Sequence, residues 1–386
     1  MQECGPGPVT RILQVSRAVI DGGFDYHAEI AHAYGDLGAS VLTVFQRGHM
    51  EMERQATFPG RVVCLDARNR RHYKQRSLFS LALWRLSRGN RVDLAICHHL
   101  TPARAVDPLM MLGRVRRAYL VVHDYGYFDP NDSEGRKRGR FLRRALSREW
   151  AVIGVSSAVC DNVRAHVPEL PTARCRSIPN AIDVDGLLRR ASDRDFSRQA
   201  LGIPGKAFVF GTVGRLVPFK AHRELIDAFA AIQDQVPTAM LVIVGRGPLG
   251  PALEQQVHAL GLTSRVVLRG FVGDAARHMR AFDAFVLPSH NEPFGLVLLE
   301  AMACRVPVIA SDSGGPTEIL PTPEQLFRTG DRRQMSQRML ELYRASETAR
   351  SRIAEAGHRR ALEGFQLQRY RRDYGALLEA DDATFR

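Results

Sequence analysis

Short apolar runs alternate with longer amphipathic ones along the whole chain, and this alternation limits the fold more than any other feature. The strand-like runs are "RILQVS", "SVLTVFQ", "RVVCLD", "DLAICHH", "AYLVVHD" and "AVIGVS", and later "FVFGTVG", "AMLVIVG", "RVVLRGF", "AFVLPS" and "PVIAS". Helical patterns such as "YHAEIAHAYGDLG", "RELIDAFAAIQDQ", "PLGPALEQQVHALG" and "PFGLVLLEAMACR" fall between them. Continuous β-branched runs spaced by helices call for parallel sheets covered on both faces, an α/β architecture. At 386 residues the chain exceeds one ordinary core, so two doubly wound domains are expected. The alternation falters in the polar stretch Asp183–Ala207, which places the boundary there. Residues 1–185 and 186–365 are the expected domains. Such sheets bind ligands at the carboxyl ends of their strands, so a shared cleft is the expected site.

Basic residues outnumber acidic ones, 54 to 41, and the excess is lopsided. Residues 1–190 hold 29 Lys and Arg against 19 Asp and Glu, and the remainder 25 against 22. The densest runs are "RNRRHYKQR" (Arg68–Arg76) and "GRKRGRFLRR" (Gly135–Arg144). Such runs either meet an anionic partner or form a solvated arginine-rich face. Neither resembles a zinc finger or an RNA-recognition motif, which argues against nucleic acid.

Cys4, Cys64, Cys97, Cys160, Cys175 and Cys304 are scattered without a Cys-x-x-Cys pair. That pattern is neither a disulfide framework nor a zinc site, and reduced thiols are the simplest reading. The start "MQECGPGPVTRILQV" lacks a signal-peptide pattern. The longest apolar stretch, Phe294–Ala310, is interrupted by Glu300, Arg305 and Pro307. A cytoplasmic protein is expected, with any membrane contact peripheral.

Four places could carry chemistry. In "AFVLPSHNEPFGLVLLEAMACRVPVIASDSGG", two acids, Glu292 and Glu300, flank and enter an apolar segment that reads as strand, loop, helix and strand. Pro293 keeps Glu292 extended, and Gly295 lets the backbone approach a ligand. The amides of Phe294, Gly295 and Leu296 then open a helix, a setting that favours an anion. Glu300 follows roughly 7.5 Å along the axis, so the two acids bracket an anion site. Glu300 alone could also be a plain complement to the helix dipole, the lesser of the two readings. In "GTVGRLVPFKAHRELIDAF", Arg215 and Lys220 leave a strand just before a helix, a pairing suited to a diphosphate. His123 leaves the strand in "VVHDYGYFD"; a lone histidine is commonly a satisfied loop residue, but a strand's carboxyl end favours a site. Gly22 and Gly23 sit between the first strand and first helix, where a phosphate or sugar could approach backbone.

Other chemistries lack their usual supports. Gly22-Gly23 is not part of a Gly-x-Gly-x-x-Gly fingerprint, and no P-loop lysine, Gly-x-Ser-x-Gly elbow or His-Glu-x-x-His helix is present. Asp183 and Asp185 imitate a metal-binding Asp-x-Asp but lie in the expected inter-domain turn, away from the cation pair. No essential metal and no cofactor beyond a co-substrate are expected.

The segments "NEPFGLVLLEAMACRVPVIASDSGGPTEIL", "VGRLVPFKAHRELIDAF", "LVIVGRGPLGPALEQQVHALGL" with "RVVLRGFV", and "VSSAVCDNV" with "IPNAIDVDGL" resemble the retaining glycosyltransferases of family four, the group-1 type. They span Val152–Leu320 in the family's order, whereas residues 1–150 match mainly through Gly22-Gly23 and His123-Asp124. The tail "FQLQRYRRDYGALLEA" resembles the family's last helix, which implies that residues 366–386 cross back to the first domain. Phe219, Ala221, Ala181 and Arg246 depart from the common pattern.

The resemblance implies a GT-B fold of two Rossmann-like domains and transfer of a hexosyl group from a nucleotide-sugar with retention. The implied acceptor is a glycan or lipid-linked molecule in bacterial surface polysaccharide or lipopolysaccharide synthesis, near the anionic inner face of the inner membrane. Arg215 and Lys220 would hold the diphosphate in place of a metal, Glu300 the ribose hydroxyls, and Glu292 with Phe294, Gly295 and Leu296 the donor sugar. His123 would touch the sugar from the other domain, and no enzymic nucleophile is implied. A small soluble or lipid acceptor is the near alternative; a nucleotide-sugar epimerase or an inactive binding module are the alternatives of other classes.

Overall fold

A computed structural model of the protein describes residues 10–18, 26–47, 56–65, 72–87, 90–320 and 322–379. The chain forms two compact units, residues 1–180 with 367–386, and residues 181–366.

The first unit holds seven strands, β1 (Arg11–Ala18), β2 (Ser40–Arg47), β3 (Arg61–Cys64), β4 (Val92–His98), β5 (Val115–Val122), β6 (Trp150–Gly154) and β7 (Cys175–Ser177). They lie in the order β3-β2-β1-β4-β5-β6-β7, and each neighbouring pair is parallel. All five residues of β6 are buried, as a strand covered on both faces requires. The helix Leu367–Gly375 closes this unit. Tyr370 and Tyr374 are buried, and Arg371 Nε meets Glu29 Oε2 at 2.7 Å on the helix Tyr26–Gly35.

The second unit has six parallel strands: β8 (Phe208–Val213), β9 (Ala239–Val244), β10 (Val266–Gly270), β11 (Ala284–Leu287), β12 (Val308–Ser311) and β13 (Leu326–Phe327). Their order is β10-β9-β8-β11-β12-β13. Every residue of β11 and β12 is buried. Phe210, Leu241, Ile243, Val286 and Ile309 pack there with Leu225 and Phe229 of the helix His222–Ile232. The strands β8 and β11 are neighbours in space but far apart in sequence, so the winding reverses between them. Loops that leave the carboxyl ends of such a pair diverge and open a crevice. The corresponding reversal in the first unit lies between β1 and β4.

Asp183 caps the helix Val184–Arg190, its Oδ1 accepting from Gly186 N at 2.8 Å. This gives the acid of the Asp183–Asp185 pair a local structural task. No helix among the described residues is long and apolar enough to cross a membrane.

Candidate functional site

The reversal between β8 and β11 gathers the second unit's candidate residues. The loop after β8 carries Arg215 and, after a short 3-10 turn (Pro218–Lys220), Lys220. The loop after β11 carries Glu292 and leads into the helix Leu296–Ala303. His290 N donates to Phe219 O at 2.8 Å, and His290 Nε2 lies 2.8 Å from Glu224 Oε2, so the two loops are tied together.

Glu292 is buried and satisfied by protein. Lys220 Nζ approaches its Oε2 at 2.5 Å, and Ser289 Oγ donates to the same oxygen at 2.9 Å. Its backbone is pinned as well. Glu292 N donates to Ser313 O at 3.3 Å, and Gly315 N donates to Glu292 O at 3.0 Å. A side chain at Gly315 would place a Cβ 2.4 Å from both Cα and O of Phe294, so only glycine permits this approach.

Glu300 differs. It is half-buried, and among the described residues its carboxylate makes no hydrogen bond. Burial, reinforced by Asp274 and partly offset by Arg190, pushes its pKa up to about 7. A carboxylate in this state lacks the donors that would stabilise its charged form.

Gly295 adopts φ 106° at the helix entrance, and neither Gly295 N nor Leu296 N has an intrahelical acceptor. Phe294 is buried, its ring 5.8 Å from Phe365. Arg215 is exposed and its guanidinium has no ion-pair partner among the described residues.

A cavity of about 740 Å³ opens beside Arg215, lined also by Gly214, Gly245, Arg246, Phe271 and Val272. Two glycines make it. A Cβ at Gly245, which has φ 146°, would sit 1.9 Å from Gly214 O, and one at Gly247 would sit 2.4 Å from Leu216 O. Asp274, whose charge acts on Glu300, directly precedes Ala275 of the cavity wall. The cavity is thus lined by Arg215, a cation with no ion-pair partner among the described residues.

Three contributors had little sequence signal. Ser289, the second partner of Glu292, looks like any loop serine. Phe271 is 66% exposed and stacks under Arg246 at 4.8 Å, a use that a hydrophobic run ending in glycine does not reveal. His222 is buried behind Gly214, where burial, then Lys220, lowers its pKa to about 4.

His123 belongs to the first unit, at the carboxyl end of β5, half-buried. Gly22 and Gly23 lie outside the described residues, as do Arg68–Arg71 of the first arginine run.

The family model for glycosyl transferases group 1 matches residues 193–360, and that for glycosyltransferase family 4 matches residues 20–185. The chain belongs to the group-1, family-four glycosyltransferases. Among the family's curated members, the D-inositol 3-phosphate glycosyltransferase of Salinispora tropica is 42% identical over 137 residues, 33% of this chain and 28% of that one. The chain spans between 28% and 36% of the length of three of the curated relatives it matches, and 58% of a fourth. The Anabaena protein HepE, in complex with UDP and glucose, superposes with a TM-score of 0.75 at 22% identity, covering 96% of this chain and 99% of that one. WaaG, a glycosyltransferase involved in lipopolysaccharide biosynthesis, gives a TM-score of 0.70 at 15% identity over 96% of this chain and 100% of its own. These likenesses show the fold: the two parallel-sheet, Rossmann-like units of GT-B enzymes.

Proposed function

We propose that this chain is a metal-independent, retaining glycosyltransferase that moves a hexosyl group from a nucleotide-sugar to a glycan or lipid-linked acceptor. The observation that carries the reading is the pairing, at the β8–β11 reversal, of an uncompensated Arg215 with a Glu300 carboxylate that has no hydrogen-bond donor. One suits a diphosphate and the other a vicinal pair of ribose hydroxyls.

In this reading Arg215 and Lys220 stabilise the negative charge that builds on the departing nucleoside diphosphate. The C–O bond from the sugar's anomeric carbon to the phosphate breaks as the acceptor oxygen attacks from the same face. The leaving phosphate oxygen takes the acceptor's proton. Glu292, held by Lys220 and Ser289, orients sugar hydroxyls together with the amides of Phe294, Gly295 and Leu296. It is not a nucleophile in this scheme, because the acceptor oxygen attacks the anomeric carbon directly and no covalent enzyme intermediate forms. The family resemblance adds His123, Gly22 and Gly23 as further donor contacts in this reading.

The acceptor is the least defined element. The likeness to WaaG in fold and the basic first half favour an acceptor in surface polysaccharide or lipopolysaccharide synthesis, at the anionic inner face of the membrane. The D-inositol 3-phosphate glycosyltransferases favour a second reading, a small phosphorylated polyol. Both acceptors are anionic, which matches the excess of arginine.

The test is thermal stabilisation of the purified protein by UDP-, GDP- and ADP-sugars with EDTA present, followed by transfer assays on those that bind. A ligand of the folded state raises the melting temperature. Stabilisation by one nucleotide class that is lost in Arg215→Ala and Glu300→Ala is expected. Binding by none, or binding and transfer that require added divalent metal, would overturn the reading.

A further inference from the structure

A line of buried polar side chains crosses three neighbouring strands of the first unit and ends at His123. Gln14 on β1, Thr43 on β2 and His98 at the end of β4 are each 0% exposed in strands whose other central residues are apolar. Buried polar groups in a sheet interior weaken a core unless each is satisfied. Here each is. Thr43 Oγ1 donates to Gln14 Oε1 at 3.2 Å, Gln14 Nε2 lies 3.2 Å from His98 Nε2, and His98 Nδ1 lies 3.1 Å from His123 Nε2. His123 Nδ1 makes no hydrogen bond among the described residues.

The direction of the chain follows from what each atom can do. With Gln14 Oε1 taken by the threonine hydroxyl, the amide nitrogen faces His98, and an amide nitrogen only donates. His98 Nε2 therefore accepts, which puts the proton of a neutral ring on Nδ1. That N–H donates to His123 Nε2. His123 is left with one proton, on Nδ1. Both rings are held neutral by burial and by the neighbouring imidazoles of His27 and His99, with the Tyr26 ring 5.1 Å from His98 and 4.9 Å from His123.

We propose that Gln14 and His98 are positioning residues that lock His123 as the neutral Nδ1–H tautomer, so that it offers its ligand one hydrogen-bond donor and no basic nitrogen. The catalytic consequence rests on the glycosyl-transfer reading; the tautomer does not. The group facing His123 is then an acceptor oxygen, such as that of a sugar hydroxyl, and His123 is excluded as general base. The proton of the acceptor has to leave by another route, and the departing phosphate supplies one.

Histidine-ring 15N NMR on the full-length protein reads the tautomer directly, with the His123 signals assigned by their loss in His123→Gln. The expected result is a protonated Nδ1 and a bare Nε2 on His123. Gln14→Glu keeps the size of the side chain but can only accept when ionised, so it reverses the line: His98 donates from Nε2, and His123 donates from Nε2 and presents a bare Nδ1. Burial of that carboxylate lowers the melting temperature, so transfer is read well below the variant's own transition, where it falls about tenfold or more. His98→Leu, a second variant, frees His123 from the line and returns its proton to a mixture of both nitrogens. A wild-type His123 protonated on Nε2, or ring signals unmoved in both variants, would overturn the proposal. The stated tautomer in a protein that transfers no sugar supports the lock and overturns the glycosyl-transfer reading instead.

Discussion

Glu292 and Glu300 share a residue type and a segment, yet their surroundings assign them opposite states. Glu292 has a cation at 2.5 Å and a hydroxyl at 2.9 Å, whereas Glu300 has neighbouring charges and no donor. The pH dependence of Glu300 follows from its folded pKa of about 7, raised from 4.5. Between those values the folded protein keeps a proton that the unfolded chain has released, so this site's contribution to stability falls as pH rises through the window. A ligand that donates hydroxyls stabilises the ionised form. Its binding is therefore expected to tighten as pH rises toward 7 and to release protons, measured as a buffer-dependent calorimetric enthalpy that disappears in Glu300→Gln. His222 works in the opposite sense. Its pKa falls from 6.5 to about 4, so stability from this site is present above 6.5 and is lost as pH falls toward 4. Melting curves of His222→Asn should show a shallower acid slope. The Lys220–Glu292 pair gives a third test. Lys220→Ala leaves a buried carboxylate without its cation and should cost roughly 3 kcal/mol in chemical denaturation. Adding Glu292→Gln should restore most of that stability but not the activity.

At the scale of elements, the site consists of two loops held at a fixed spacing. The contact of Glu292 with Gly314, the His290–Phe219 bond and the His290–Glu224 pair fasten the loop after β11 to its neighbours on both sides. Gly315→Ala would drive a methyl against the Phe294 backbone at 2.4 Å. Repacking of this kind costs roughly 1–3 kcal/mol, and the shift moves the helix entrance along with Glu292. Loss of both melting temperature and nucleotide affinity is expected in this variant. Gly205→Ala, whose Cβ would meet nothing within 4 Å, is the control that should change neither. Equal losses in the two would remove the loop-spacing argument.

For the whole molecule, the charge asymmetry is partly structural. Within the helix Ser133–Ala145, Lys137 pairs with Glu134 at 2.5 Å, Arg143 with Glu169 at 2.9 Å, and Arg138 lies over the Tyr127 ring at 4.3 Å. Arg140 and Arg144 have no ion-pair partner among the described residues. If the first unit meets an anionic membrane, those two carry the attraction, at about 1 kcal/mol per cation near the surface. Sedimentation with phosphatidylserine-containing vesicles at low salt should weaken several-fold in Arg140→Glu/Arg144→Glu and vanish at high salt. Equal pelleting of wild type and variant would assign the run to local structure.

The alternating pattern of apolar runs alone determined two parallel α/β sheets, because strands covered on both faces must be apolar throughout and their crossovers must be amphipathic. It also singled out Arg215, Lys220, Glu292 and Glu300 as candidates, since glycines, a proline and charges at strand ends mark loops, and the fold sets those loops after β8 and β11. Partnership was beyond its reach. That Glu292 is bound by Lys220 while Glu300 is left without a donor depends on contacts across 72 residues and on burial, neither of which is local. The same holds for Gln14 and His98. In sequence they are a polar interruption and one histidine of a pair. Only strand order places them in line behind His123, because hydrogen bonds are made between neighbours in space.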